Sequence, residues 1–171
     1  MFQNTKNLLK KPIYTLDTGK LIGEIKDVYV DAQLVRLQAV FLGKEGLFNR
    51  KEWVLSKDRI QLMGLDAWFV STETVVRELK ELENASELVT LSDLRNRPVT
   101  TQSGTPVGTV GDLLLNEQGE IKGLALAKVQ VQGPLAKTKQ LVRSAITFVG
   151  DKSRPMIVDL AVAEHAATIP A

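Results

Sequence analysis

Thr18-Gly19-Lys20-Leu21-Ile22-Gly23-Glu24-Ile25-Lys26-Asp27-Val28 and Ser103-Gly104-Thr105-Pro106-Val107-Gly108-Thr109-Val110-Gly111-Asp112-Leu113 are two versions of one segment. Gly19, Gly23 and Asp27 recur 85 residues later as Gly104, Gly108 and Asp112. Pro12 recurs 86 residues later as Pro98, and Ile60 and Gly64 recur as Ile146 and Gly150. The order holds across the chain, and the one-residue changes of spacing belong in loops. The chain is therefore an internal duplication.

Each copy alternates short apolar-rich runs with Gly, Asn, Asp and Pro, the signature of an all-β fold. Strands are expected near 12–16, 22–31, 33–43, 51–56, 60–63 and 66–70, then near 98–102, 107–116, 120–132, 139–144, 145–149 and 155–160. Asp17-Thr18-Gly19 and Asn116-Glu117-Gln118-Gly119 suit tight hairpin turns. In the second strand Ile25 is out of phase with Val28 and Val30, and Val110 is out of phase with Leu113 and Leu115. A period-two pattern that slips at the same place twice points to a β-bulge, which bends a strand so that a small sheet can curl. Asp27 and Asp112 sit at the slip, where a short carboxylate can accept backbone N–H groups that the bulge frees.

The third strand carries Val35, Leu37, Ala39 and Phe41 on one face, matched with Ile121, Gly123, Ala125 and Ala127. Val40 and Leu42, and Leu124 and Leu126, make the other face partly apolar as well. A strand apolar on both faces needs cover on both. The other half of the chain, or a second protomer, is the expected cover, since either half alone makes only a modest core. Val75, Val76, Leu79 and Leu82 follow helical spacing against Glu78, Lys80, Glu81 and Glu83, so a short amphipathic helix is expected over 72–84. Leu88, Leu91 and Leu94 are expected to plug one end of the second barrel. The resulting division is 1–71 for the first repeat, 72–90 for a helical linker, 91–160 for the second repeat and 161–171 for a flexible tail.

Composition narrows the function classes. The 22 basic and 20 acidic residues nearly cancel, which is not the footprint of a dedicated nucleic-acid binder, and no DNA partner is expected. Without cysteine and with one histidine, a thiol nucleophile and zinc sites built from Cys or several His are ruled out. His165 sits beside Glu164 in the tail with no triad to join. The G-x-x-x-G spacings at Gly19–Gly23 and Gly104–Gly108 lack the Lys-Ser/Thr and the following helix of a phosphate loop. No enzyme activity, cofactor or metal is expected. No run approaches the roughly 20 apolar residues of a membrane span, and no secretory pattern opens the chain, so the cytoplasm is the expected location.

The run from Pro12-Ile13 through Thr18–Asp31, with Val35–Val40, Trp53-Val54-Leu55 and Asp58-Arg59-Ile60, resembles a PRC-barrel domain. The second copy resembles it through Gly104, Gly108, Asp112, Ile121–Leu126 and Leu141-Val142. That family is the small β-barrel of a photosynthetic reaction-centre subunit and of the C-terminal half of a ribosome maturation factor. The resemblance implies two tandem barrels that act by protein contact and supplies no catalytic residue.

The segment joining the third and fourth strands is the expected partner-binding feature. In the first copy it carries Lys44, Leu47, Phe48, Arg50 and Lys51, and in the second Leu135, Lys137 and Lys139. Apolar residues beside cations in an exposed turn are favoured interface anchors. Trp53 and Trp68 are expected in the core or at a barrel mouth. A protein partner is the leading expectation, with ribosome or RNA association through the basic tips as the alternative. Peripheral membrane contact through Leu47 and Phe48 is a third reading, and self-association a fourth.

Overall fold

The period-two segments become strands close to where the sequence places them. A computed structural model describes residues 3–4, 7–48 and 50–168. After β1 (Gln3–Asn4), the first repeat comprises β2 (Pro12–Thr15), β3 (Leu21–Glu24), β4 (Asp27–Val30), β5 (Leu37–Glu45), β6 (Lys51–Ser56), β7 (Ile60–Met63) and β8 (Trp68–Val70). The linker holds β9 (Arg77–Glu78), β10 (Val89–Thr90) and the short helix α1 (Leu91–Leu94). The second repeat comprises β11 (Pro98–Thr101), β12 (Pro106–Leu115), β13 (Ile121–Val129), α2 (Pro134–Thr138), β14 (Gln140–Val142), β15 (Ile146–Phe148) and β16 (Met156–Val158), and α3 (Leu160–Ala167) follows.

The second repeat is one curled sheet in the order β14-β13-β12-β11-β16-β15, left open between its end strands, which the turn Arg143–Ala145 joins. The first repeat splits the same plan in two, β10-β4-β5-β6-β9 and β3-β2-β8-β7. The split falls at the bulge. β12 passes through it as one strand with register shifts around Val110, whereas the first repeat breaks between Glu24 and Asp27. Asp27 accepts from the Val28 N–H at 2.8 Å and from the Ser92 hydroxyl at 2.6 Å. Asp112, buried, pairs with Arg95 at 3.3 Å. The pairing also corrects one match. Phe41 faces Asp27 as Ala125 faces Asp112, so Leu37 corresponds to Ile121 and Ala39 to Gly123. The Asp31–Arg36 turn is one residue longer than its counterpart Asn116–Glu120.

The two repeats are interlocked about a local two-fold axis. β1 pairs with β12 (Gln3 opposite Leu115), and β10, its counterpart, pairs with β4 (Val89 opposite Val30). Each repeat's lead-in strand thus extends the other repeat's sheet. At the axis Arg36 bridges Glu120, its own counterpart. The Leu37 N–H donates to the Gly119 carbonyl at 2.8 Å and the Ile121 N–H to the Val35 carbonyl at 2.9 Å. Arg143 donates from Nε and Nη2 to the Gln33 carbonyl and from Nε to the Leu34 carbonyl. Its counterpart Lys57 lies across Gly119, where a Cβ would stand 2.9 Å from the Lys57 Cε. Gly119 also has φ +78°, a backbone conformation that other residues adopt only with strain. One apolar core, from Leu8, Val28 and Val40 to Leu113, Leu124 and Met156, runs through both repeats.

Several expectations are corrected. Residues 72–84 do not form an α-helix; 3-10 turns at Glu73–Val75, Leu79–Glu81 and Ala85–Glu87 alternate with extended residues. The leucines at 79, 82 and 88 repeat in threes, which suits single 3-10 turns. They pack on Tyr29, Ala39, Phe41 and Val54, so the linker rather than the other repeat covers this outer face. The short helix between the repeats is α1, capped by the Thr90 hydroxyl, with Leu91 and Leu94 buried as plugs and Leu88 outside. The tail expected to be flexible forms α3 as far as Ala167, capped by Asp159, with Ala163 buried; residues 169–171 lie outside the described residues. Apart from Leu160, its buried side is made of small residues such as Ala163, which leaves little hydrophobic pattern to read.

Tyr29 reports on the linker's cover. It is buried, and that burial, assisted by the carboxylates of Glu52, Asp27 and Asp93, pushes its phenol up to about 12. The folded chain holds this proton more tightly than the unfolded chain. The associated stability is therefore complete below pH 10 and is lost as pH rises through about 12. In a Tyr14→Phe background, phenolate absorbance should rise near pH 12, and Tyr29→Phe should remove that part of the alkaline loss of stability. Ionisation at the ordinary tyrosine value of about 10 would mean that the linker leaves this face open.

Candidate docking surface on the first repeat

Beyond Phe41 the third strand takes different partners in the two repeats. In the second, β13 stays with β12, pairing Lys128 with Thr109 and Val129 with Gly108, and parts from β14. In the first, β5 leaves β3 and stays with β6, pairing Gly43 with Trp53, Lys44 with Glu52 and Glu45 with Lys51. A two-stranded ribbon results. Gly46, at φ 107°, begins its turn, a conformation that side chains disfavour. Leu47 and Phe48 at the tip are 90% and 98% exposed, so neither folds back on a barrel end. Asn49 lies outside the described residues.

The ribbon's charges are mostly paired. Lys44 meets Glu52 at 3.2 Å, and Glu78 receives both Lys51 at 3.7 Å and Lys80 at 3.2 Å. The Lys51 ammonium stands 5.8 Å from the centre of the Trp53 ring, and the Trp53 Nε1–H donates to Glu45 at 3.0 Å. Arg50 is exposed and forms no ion pair among the described residues. Between the ribbon and Glu78–Lys80 lies an open cleft of about 550 Å³, walled by Phe48, Arg50 and Leu79. Sequence reading missed the linker wall because it placed Glu78, Leu79 and Lys80 on a helix.

The second copy supplies no matching tip. A turn of helix, α2, replaces the expected hairpin, and Leu135 is fully buried rather than available to a partner. Glu164 of α3 accepts from the Leu135 N–H at 2.9 Å, fixing α2 against the tail helix. Lys137 and Lys139 are exposed on the second repeat, and no hydrogen bond or ion pair links them to the ribbon among the described residues. Trp68 is fully buried and Trp53 half-buried at the ribbon's base. His165 is exposed. Among the described residues, no three His, Asp or Glu side chains gather as metal ligands, and no helix is long and apolar enough to cross a membrane.

The sequence model of the PRC-barrel domain matches this chain twice, over residues 4–63 and 86–149. The second match takes in the lead-in strand β10, and the first begins within its counterpart, β1. No curated protein matches the chain significantly.

Proposed function

The chain belongs to the PRC-barrel domain family, carrying the domain twice, and from that premise we propose that it is a non-catalytic docking module for another protein. The observation that carries this reading is the pair Leu47 and Phe48, almost fully exposed at the end of a ribbon flanked by Lys44, Arg50 and Lys51. Apolar side chains held out in this way gain most when a partner covers them, and aromatic residues beside Arg supply much of the energy of protein interfaces. The site of action is the cytoplasm, on a soluble or a membrane-associated complex.

The test compares the full-length protein with the Phe48→Ala/Arg50→Ala variant as baits in native lysate with membranes solubilised. The wild type should retain a defined protein at high salt. The variant should lose it while melting within about 0.5 kcal/mol of the wild type, as expected for exposed positions. A variant that unfolds would place these side chains in the core, and one that keeps the partner would remove the tip from the interface. Ribosomal subunits held at low salt and released at high salt would favour the alternative, an assembly factor working through Arg50, Lys137 and Lys139.

A further inference from the structure

We propose that the partner docks by adding a strand to the free edge of β6, and that the docking segment is extended, acidic and alternately apolar. This deepens the docking reading above and rests on it.

The observation is an interrupted edge. β9 pairs with β6 only at Trp53 and Val54, after which the 3-10 turn Leu79–Glu81 ends the ladder while staying beside β6. Lys51 and Glu52 remain laddered to Glu45 and Lys44 on the β5 side. On the opposite side no strand adjoins them among the described residues, and the cleft of about 550 Å³ lies there. An unpaired edge is a template for an incoming strand, whose main chain supplies affinity and whose alternate side chains supply specificity. A lipid surface or a nucleic acid offers no peptide edge to complete this ladder.

The walls define the incoming side chains. Phe48, almost fully exposed, and Leu79, half-buried, both line the cleft, so apolar residues are favoured on the face that meets them. Lining the cleft, the three cations Arg50, Lys51 and Lys80 exceed the two carboxylates Glu52 and Glu78 by one charge. Glu52 is engaged by Lys44, while Glu78 is shared by Lys51 and Lys80. Glu45 is turned to Trp53. The positive excess, with Arg50 outside any of these pairs, calls for carboxylates on the arriving strand.

The test uses the full-length protein and three synthetic hexapeptides. The first is acetyl-Val-Glu-Val-Glu-Val-Glu-amide, the second has Lys in place of each Glu, and the third is the acidic peptide N-methylated at every residue. The acidic peptide should bind, shift the amide resonances of Lys51 and Glu52 and slow the hydrogen exchange of the one whose N–H points away from β5. The Lys peptide should bind about tenfold more weakly, and N-methylation should abolish binding. Arg50→Glu should invert the charge preference. Equal binding of the acidic and basic peptides, indifference to N-methylation, or no binding of the acidic peptide would each overturn the proposal. If the lysate partner is lost with Phe48→Ala/Arg50→Ala while no peptide moves the β6 amides, docking stands and strand addition falls. If that variant keeps the lysate partner, the docking reading itself falls.

Discussion

Arg97→Ala is expected to lower the free energy of unfolding by about 3 kcal/mol. Arg97 is only 7% exposed, and its Nη1 donates to the carbonyls of Val149 at 3.1 Å and Gly150 at 3.3 Å. Its Nη2 reaches the Asp93 carbonyl at 3.4 Å. The guanidinium therefore ties α1 to the turn between β15 and β16. Burial pulls its pKa below the ordinary value, so part of the stabilisation offsets a desolvation cost. Truncation removes the charged donor and strands the carbonyls it served. A charged hydrogen bond contributes roughly 1.5–3 kcal/mol, and the weaker geometries here set the sum near the upper end of a single strong bond. The counterpart in the first repeat is Lys11, equally buried, which donates from Nζ to the Gly64 carbonyl at 3.2 Å. Lys11→Ala should cost less, about 1.5 kcal/mol, because one bond is lost instead of three. Arg97→Lys should fall between the two, since a lysine already performs this task in the other repeat. Urea unfolding of the three variants checks the order. Arg97→Ala within about 0.5 kcal/mol of the wild type would show that the cation is dispensable.

The sequence made the strands legible because each is declared locally. A period-two run ends at a turn residue, and the duplication supplies a second reading of the same run. The phase slip at Asp27 and Asp112 located the bulge for that reason, although it could not say that one repeat would break there and the other continue. Position 135 shows where local reading ends. A leucine beside Gly, Pro and Lys looks like an exposed tip, yet Glu164, 29 residues away, seats that turn on α3. The linker leucines failed differently. Spacing of three and four is shared by α-helices and successive 3-10 turns, and what decided between them was the apolar face of β4, β5 and β6 waiting to be covered. The exchange of lead-in strands left no local signal, because β1 and β10 are two-residue pairings whose partners lie in the other repeat. Of the candidate site, the ribbon half was legible from Leu47 and Phe48, and the linker half was not.

That exchange gives the other large expectation. Either repeat expressed alone should fail to fold as a monomer. A half containing residues 86–171 keeps β10 but loses the strand it extends, β4, and loses β1 from the edge of β12. It also loses the bridge at Arg36 and Glu120 and the carbonyls that Arg143 holds. Two such halves could reform the exchange with each other, since the contact is two-fold, but at the axis Glu120 would then face Glu120 where the intact chain opposes it with Arg36. Two copies of the first repeat would fare no better. Arg36 would face Arg36, and Lys57 would meet Val35 where it now crosses Gly119. Divergence at these few positions directs each repeat to the other within one chain. The intact protein should therefore melt in one cooperative transition, and the isolated half should be unfolded or a weak dimer by sedimentation and circular dichroism. Arg143→Ala, which breaks the clamp and leaves the strand exchange, should cost about 2 kcal/mol and keep the single transition. A half that is monomeric and melts cooperatively would show that each barrel closes its own core and that the exchange is incidental.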